Sequence, residues 1–189
     1  MNTPPICSFP IPEMNDLPDD IRNVILSAQE KAGFVPNVFM ALAARPAEFR
    51  AFVAYHDALM EKEANLTKAE REMIVVATSS LNQCQYCVVA HGAILRIRAK
   101  NPLISDQIVA NFRKADITPR QRAMLNFAIK VAQNANQVDH QDFNQLYEHG
   151  FSQDDILDIT SITGLFGFSN RLANVMSLRP NNEFYSMGR

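Results

Sequence analysis

Apolar residues recur along most of the chain at intervals of three and four positions, the spacing of one face of an α-helix. In the segment 46–60 this period is carried by Phe49, Phe52, Val53 and Leu59. No run of alternating apolar and polar residues with turn signals at both ends stands out, so strands are not expected. The pattern therefore predicts an all-α fold.

Two segments carry signals for the start of a helix. Thr67 is followed three positions later by Glu70, which is the spacing of a capping box, so a helix is expected to begin at Thr67. Asp19 and Asp20 stand where the positive end of a helix dipole favours negative charge. A helix is expected to run from these aspartates to Lys31.

Residues 1–18 differ from the rest of the chain because they are rich in proline, at Pro4, Pro5, Pro10, Pro12 and Pro18. Proline lacks the backbone N–H of a regular helix, so this segment cannot be one. We expect an extended arm that is frayed or lies across another subunit, followed by a single helical domain over residues 19–189. Cys7, in the arm, is expected to be an unpartnered thiol.

The chain contains an internal echo at an offset of 51 positions. Segments 66–74 and 117–125 each have an aliphatic residue before Thr, an Arg five positions after that start, and Met before another aliphatic residue. This predicts two similar halves, a motif region at about 66–99 and a second copy at about 117–178; the alternative is two independently capped helices. The second copy lacks the reactive groups of the first, because Glu72, Cys84, Cys87 and His91 correspond to Ala123, Ala135, Val138 and Asp142.

Composition narrows the class of protein. With 189 residues, 47% of them apolar, the chain is long enough to bury a core without disulfide bonds. A net charge of −2 gives no reason to expect nucleic acid or an anionic membrane as a partner. The longest apolar stretch, 156–178, contains Asp158 and Arg171 and is too polar to span a membrane. Three cysteines and no apolar signal core indicate a cytoplasmic protein with chemically active thiols.

The densest chemistry lies at Cys84 and Cys87, with His91 four positions after the second cysteine. These spacings place side chains on one face of a helix. If Cys84 opens the helix, its sulfur faces unpaired N–H groups, which favours the thiolate over the roughly 3% ionised at neutral pH for an ordinary thiol. His91 is a candidate to accept the thiol proton, and Glu72 to orient that imidazole or relay a proton through water.

Two thiols in one helical turn suit peroxide chemistry. A thiolate that attacks a peroxide becomes a sulfenic acid, which condenses with the second thiol to a disulfide, and a reductant then reopens it. Haem, flavin and metal are not implied. The alternatives are a pair of buried apolar cysteines or a zinc site formed by Cys84, Cys87, His91 and Glu72. His56 lies in an amphipathic segment, where a packing role is favoured over a binding role.

The pattern Glu72-x11-Cys84-Gln85-Tyr86-Cys87-x3-His91 resembles the core motif of alkyl hydroperoxide reductase D (AhpD)-like proteins, in the carboxymuconolactone decarboxylase family. The tract 168–174 is similar to the C-terminal helix of that family, and the likeness covers most of the chain from about residue 20. The form with Tyr86 between the cysteines resembles the peroxidase-related branch, whereas the best-known members carry His there.

The resemblance implies an AhpD-like helical bundle of two pseudo-symmetric halves that assembles into a homo-oligomer, often a trimer or hexamer. It also implies a thiol-dependent hydroperoxide reductase without a cofactor. Cys87 would attack the hydroperoxide and Cys84 would resolve the product. His91 and Glu72 would relay protons, and an unidentified dithiol or protein would act as reductant. A non-enzymatic redox-sensing oligomer and a decarboxylase-type lyase are the alternatives.

Overall fold

A computed structural model describes residues 5–189, so Pro4 and the rest of the segment 1–4 lie outside the described residues. Within residues 5–189 the secondary structure is entirely helical, which confirms the all-α prediction. The helices are α1 (Asp19–Ala32), α2 (Asn37–Ala43), α3 (Pro46–Met60), α4 (Lys68–Leu81), α5 (Gln85–Ala99), α6 (Ile104–Asn111), α7 (Pro119–Asn134), α8 (His140–Glu148), α9 (Gln153–Val175) and α10 (Glu183–Ser186).

Helix α4 lies at the centre of the bundle and packs against α5, α6, α7 and α9. Every residue from Glu70 to Ser79 is buried, including polar ones. A helix that is apolar on several faces has no solvent side and is covered all round. The uninterrupted run from Met73 to Ala77 therefore explains why the other helices surround α4.

The predicted helix starts are confirmed. Thr67 caps α4 with Glu70 in a reciprocal capping box, and Thr118 caps α7 with Gln121 in the same way. The internal echo extends to the arginine of each copy. Arg71 donates to the carbonyls of Met60 and Lys62, and Arg122 donates to those of Ala115 and Ile117, so each arginine ties the preceding connection to its own helix.

The described part of the proline-rich arm lies against the C-terminal segment of the same chain. The Ser8 N–H donates to the Met176 carbonyl at 2.8 Å, and the Arg179 N–H donates to the Ile6 carbonyl at 2.9 Å. Cys7 is buried and its thiol contacts the Phe9 carbonyl oxygen at 3.3 Å. At residues 6–8 the arm is therefore not frayed, because backbone hydrogen bonds hold it to its own domain.

The longest helix, α9, has 23 residues and buries a series of polar side chains, at Asp155, Asp158, Thr163, Ser169 and Asn170. Within residues 5–189, no helix combines the length and the apolar character needed to cross a membrane. Asp155 instead accepts a hydrogen bond from Asn65 and Asp158 pairs with Lys62, both in the connection between α3 and α4, and Ser169 and Asn170 reach the site described below.

Gly92 marks a close approach between α5 and α6. A Cβ atom at this position would overlap the Oγ of Ser105 and lie 3.4 Å from its Cβ, and Ser105 is itself buried. At Gly164 on α9, by contrast, a Cβ atom would meet no other atom within 4 Å.

We expect Gly92→Ala to lower the free energy of unfolding by about 1–3 kcal/mol, because the added methyl overpacks the contact between α5 and α6. Gly164→Ala should raise it by about 0.5–1 kcal/mol, because alanine is the better helix former. Denaturant unfolding measures both. The double variant Gly92→Ala/Ser105→Ala should recover part of the loss; no recovery would contradict this explanation.

Candidate functional site

The site begins at the sharp connection between α4 and α5. After α4 ends at Leu81, Gln83 adopts a φ angle of 51°, in the left-handed region, and Cys84 becomes the N-cap of α5. The Cys84 N–H donates to the Ser79 carbonyl at 3.0 Å, which closes the turn. The short turn folds α5 back along α4, so that residues of α4 near its start meet residues in the middle of α5.

Cys84 and Cys87 are both buried free thiols in this N-terminal turn. The pKa of Cys84 is lowered to about 7, mainly by a hydrogen bond from the Cys87 thiol. The Cys87 N–H, the Asn170 side chain and the charge of His91 act in the same direction, and together they outweigh the effect of burial. The same hydrogen bond and burial raise the pKa of Cys87. The pair therefore loses one proton readily and the second with difficulty. The resting negative charge is on Cys84, as the N-cap position predicts.

His91 and Glu72 meet across the interface between α4 and α5. The Nδ1 atom of His91 lies 2.8 Å from Oε2 of Glu72, whose side chain is 3% exposed. A carboxylate accepts hydrogen bonds and does not donate them, so Nδ1 carries the hydrogen and Nε2 is left for other partners. Glu72 is held from its other side by Arg98, whose Nη1 lies 3.2 Å from Oε1 as an ion-pair contact.

Helix α9 contributes two residues that the sequence motif did not include. The Oγ atom of Ser169 lies 4.0 Å from the Sγ atom of Cys87. Asn170 is 1% exposed; its side chain donates to Ser79 Oγ at 3.0 Å, accepts from Asn82 at 2.9 Å and hydrogen-bonds both thiols. The sequence signals for this pair were polar residues within an apolar helical segment and the likeness of the tract 168–174 to the C-terminal helix of the family, and neither assigned the two residues to the site.

Tyr86, between the two cysteines, makes contacts that stabilise the fold. Its hydroxyl accepts a hydrogen bond from the Val38 N–H at 3.2 Å, and its ring packs edge-on against Phe184. Burial raises the pKa of Tyr86. This hydroxyl therefore joins α2 to α5 and is not an acid or base for chemistry near neutral pH.

A cavity of about 800 Å³ opens beside the thiols, between α1, α2, α3, α5 and α9. Cys87 and His91 line it and Cys84 does not. Its walls are mostly apolar, with Phe52 and Phe166 among them, and His56 of α3 also lines it. The cavity gives a small apolar molecule access to Cys87, with the Cys84 thiol behind it.

The four residues singled out from the sequence thus form two neighbouring pairs, the thiols of Cys84 and Cys87 at the start of α5 and the hydrogen-bonded His91 and Glu72. Among residues 5–189, no group of three or more His, Cys, Asp or Glu side chains is placed to hold a metal ion. The geometry therefore does not support the zinc alternative for Cys84, Cys87, His91 and Glu72.

We expect the ultraviolet absorbance of thiolate to titrate near pH 7 in a Cys7→Ser background, with thiolate present above and lost below that pH. Cys87→Ala should move the titration upward, because Cys84 loses its hydrogen-bond donor. His91→Gln should move it upward by less, because the imidazole acts only through its charge. His140→Gln, a change in α8 away from the cavity, is the control. A titration unchanged in Cys87→Ala would show that the thiols do not share a proton.

Comparison with known proteins identifies the fold and the family. Residues 46–102 match the model of the Carboxymuconolactone decarboxylase family. The sequence matches none of the curated proteins. The structure of an alkylhydroperoxidase AhpD core, an uncharacterized peroxidase-related protein from Ralstonia eutropha JMP134, superimposes with a TM-score of 0.98 at 62% identity, covering 99% of this chain and 98% of that chain.

An uncharacterized peroxidase-related protein from Silicibacter sp. TM1040 gives a TM-score of 0.93 at 39% identity, with 100% of both chains covered. The apo debrominase Bmp8, at 20% identity, shares the fold with a TM-score of 0.78 over 94% of each chain. The extent of the two closer likenesses shows that this chain belongs to the AhpD-like, peroxidase-related proteins of the carboxymuconolactone decarboxylase family.

Proposed function

We propose that this protein is a thiol-dependent hydroperoxide reductase. The observation that carries the proposal is a pair of buried free thiols at the start of α5, of which Cys87 lines a mostly apolar cavity. The His91–Glu72 pair beside them supplies a route for protons. Membership of a family of peroxidase-related proteins points the same way.

The reaction starts at Cys87, because Cys87 lines the cavity and Cys84 does not. The resting charge lies on Cys84, so Cys84 first takes the proton of the Cys87 thiol along the hydrogen bond between them. The Cys87 thiolate then attacks one oxygen of the hydroperoxide. An S–O bond forms, the O–O bond breaks, and the departing alkoxide takes up a proton to become an alcohol.

The second step closes the disulfide. Cys84 gives up a proton and attacks the Cys87 sulfenic sulfur, so an S–S bond forms and hydroxide leaves and is protonated to water. Two electrons have then passed from the thiols to the peroxide. A dithiol or protein reductant returns them by thiol–disulfide exchange, and both cysteines become free again. No further redox centre is needed for this cycle.

His91 serves as the proton acceptor of the pair and Glu72 as its positioning residue. Glu72 holds Nδ1, which leaves Nε2 of His91 to exchange protons with the thiols. Because Glu72 hydrogen-bonds the imidazole, its carboxylate stabilises the positive charge that His91 gains on accepting a proton. Arg98 contacts the same carboxylate from its other side. A reducible pair of this kind suits the cytoplasm, where glutathione and thioredoxin keep thiols reduced.

We expect both Cys87→Ser and Cys84→Ser to abolish catalytic turnover of cumene hydroperoxide with a dithiol reductant, since the disulfide needs both sulfurs. Single-turnover behaviour should separate them. Cys84→Ser should accumulate a sulfenic acid at Cys87, detected by mass spectrometry after one equivalent of peroxide. Cys7→Ser is the matched control and should keep full turnover. Full turnover in both motif variants would refute the proposal, and a sulfenic acid only in Cys87→Ser would reverse the order of attack.

The protein is also proposed to act as a homo-oligomer, a trimer or a hexamer. Large apolar side chains remain exposed on its surface, with Val175 at 71%, Leu103 at 59%, Leu157 at 56% and Phe168 at 53%. Apolar surface of this kind is removed from water when subunits associate.

Sedimentation at micromolar concentration should therefore show a species larger than the 21.2 kDa monomer. Leu157→Glu together with Phe168→Glu should shift the distribution toward monomer, because burying two charges opposes association. A wild-type protein that sediments as a monomer would contradict this prediction.

A further inference from the structure

A second imidazole–carboxylate pair stands at the same cavity, on a different helix. His56 and Asp57 belong to α3, and the Nδ1 atom of His56 lies 3.0 Å from Oδ1 of Asp57. The His56 ring centroid is 6.5 Å from that of His91 and 6.3 Å from that of Phe166. On its other side His56 stacks on Phe52 at 6.3 Å. With its side chain 28% exposed, His56 is held in place and still reachable from solvent.

From this arrangement we propose that His56 is a catalytic acid, which protonates the oxygen that leaves when Cys87 attacks a hydroperoxide. The inference rests on the proposed function and adds a residue to it. Since Asp57 binds Nδ1, the Nε2 atom of His56 remains for a molecule in the cavity. The pair repeats the arrangement of His91 and Glu72, so two imidazoles with the same free nitrogen lie at one cavity.

The chemistry calls for two proton-transfer groups. Attack by the Cys87 thiolate converts the hydroperoxide ROOH into a sulfenic acid and an alkoxide RO⁻, a strong base that leaves poorly unless protonated. His91 lies beside the thiols, where its charge acts on Cys84. An imidazolium at His56 gives its proton to RO⁻ and forms ROH. His56 regains a proton from solvent, so atoms and charges balance over one turnover.

The other titratable residues that line the cavity do not fit this role. The Tyr86 hydroxyl is bonded to Val38, and burial raises its pKa. Arg98 pairs with Glu61 at 2.5 Å as well as with Glu72, and a guanidinium does not release a proton near neutral pH. Asp57 and Glu61 are acceptors when ionised. Imidazole is the side chain most often used as a general acid, and His56 and His91 are the two imidazoles that line the cavity.

The test compares two oxidants that differ in their need for an acid. Reduction of tert-butyl hydroperoxide expels an alkoxide, whereas reduction of peroxybenzoic acid expels a carboxylate, which leaves without a proton. Single-turnover rates are measured on the full-length reduced protein. We expect His56→Gln to slow tert-butyl hydroperoxide reduction by roughly 10²- to 10⁴-fold and peroxybenzoic acid reduction by far less. His140→Gln, the same change in α8, should leave both rates unchanged.

A second variant distinguishes a lost imidazole from a lost fold. His56→Ala opens space in the cavity wall, and added imidazole should restore its rate with tert-butyl hydroperoxide. An equal loss with both oxidants, or no loss with either, would overturn the role of His56 while leaving the peroxidase proposal intact. A wild-type protein that reduces neither oxidant would overturn the peroxidase proposal itself, and the role of His56 would fall with it.

Discussion

A single negative charge shared by two buried thiols is the constraint on which the rest of the site depends. Burial in a medium of low dielectric opposes any charge, so the pair can hold one thiolate stabilised by the neighbouring thiol and cannot readily hold two. The start of α5 favours the first ionisation, because Cys84 occupies the N-cap, beside the unpaired N–H groups of the first turn. Reactivity then depends on moving the charge from Cys84 to Cys87, which lines the cavity. The imidazole of His91, the carboxylate of Glu72 and the amide of Asn170 are arranged around that transfer.

The fold could be predicted from the sequence where the signals are local. The capping box at Thr67, the helix over 46–60 and the helix that begins at Asp19 depend on neighbouring residues, and each is found in the structure. The end of α9 was less predictable. The helix stops at Val175, and Ser177 takes a positive φ without a glycine to mark it. The packing of the arm against residues 176–179 depends on backbone groups, which leave no pattern in the sequence.

The residues of the site divide in the same way, into those that local sequence signals predict and those that tertiary packing brings in. Cys84, Cys87 and His91 share one helix, so their proximity follows from the spacing alone, and Glu72 joins them because α4 and α5 are connected by a short turn. Asn170 and His56 come from α9 and α3, whose approach to α5 is set by tertiary packing. His56 in particular was assigned to packing, the commoner role for a histidine in an amphipathic helix. Its carboxylate partner was visible as the next residue, but the cavity that gives the pair a use was not.

The internal echo shows how one scaffold supports two different uses. Both copies keep the capped helix and the arginine that ties it to the preceding connection, since these features stabilise the helix whatever lies beside it. The position of His91 corresponds to Asp142, which closes the capping box of α8 and pairs with Lys130 at 2.6 Å. In the second half this position therefore stabilises the fold and has no part in the chemistry. The long helix α9 of that half brings Ser169 and Asn170 to the thiols. The reactive groups of the first copy act against a wall that the second copy provides, so neither half forms the site alone.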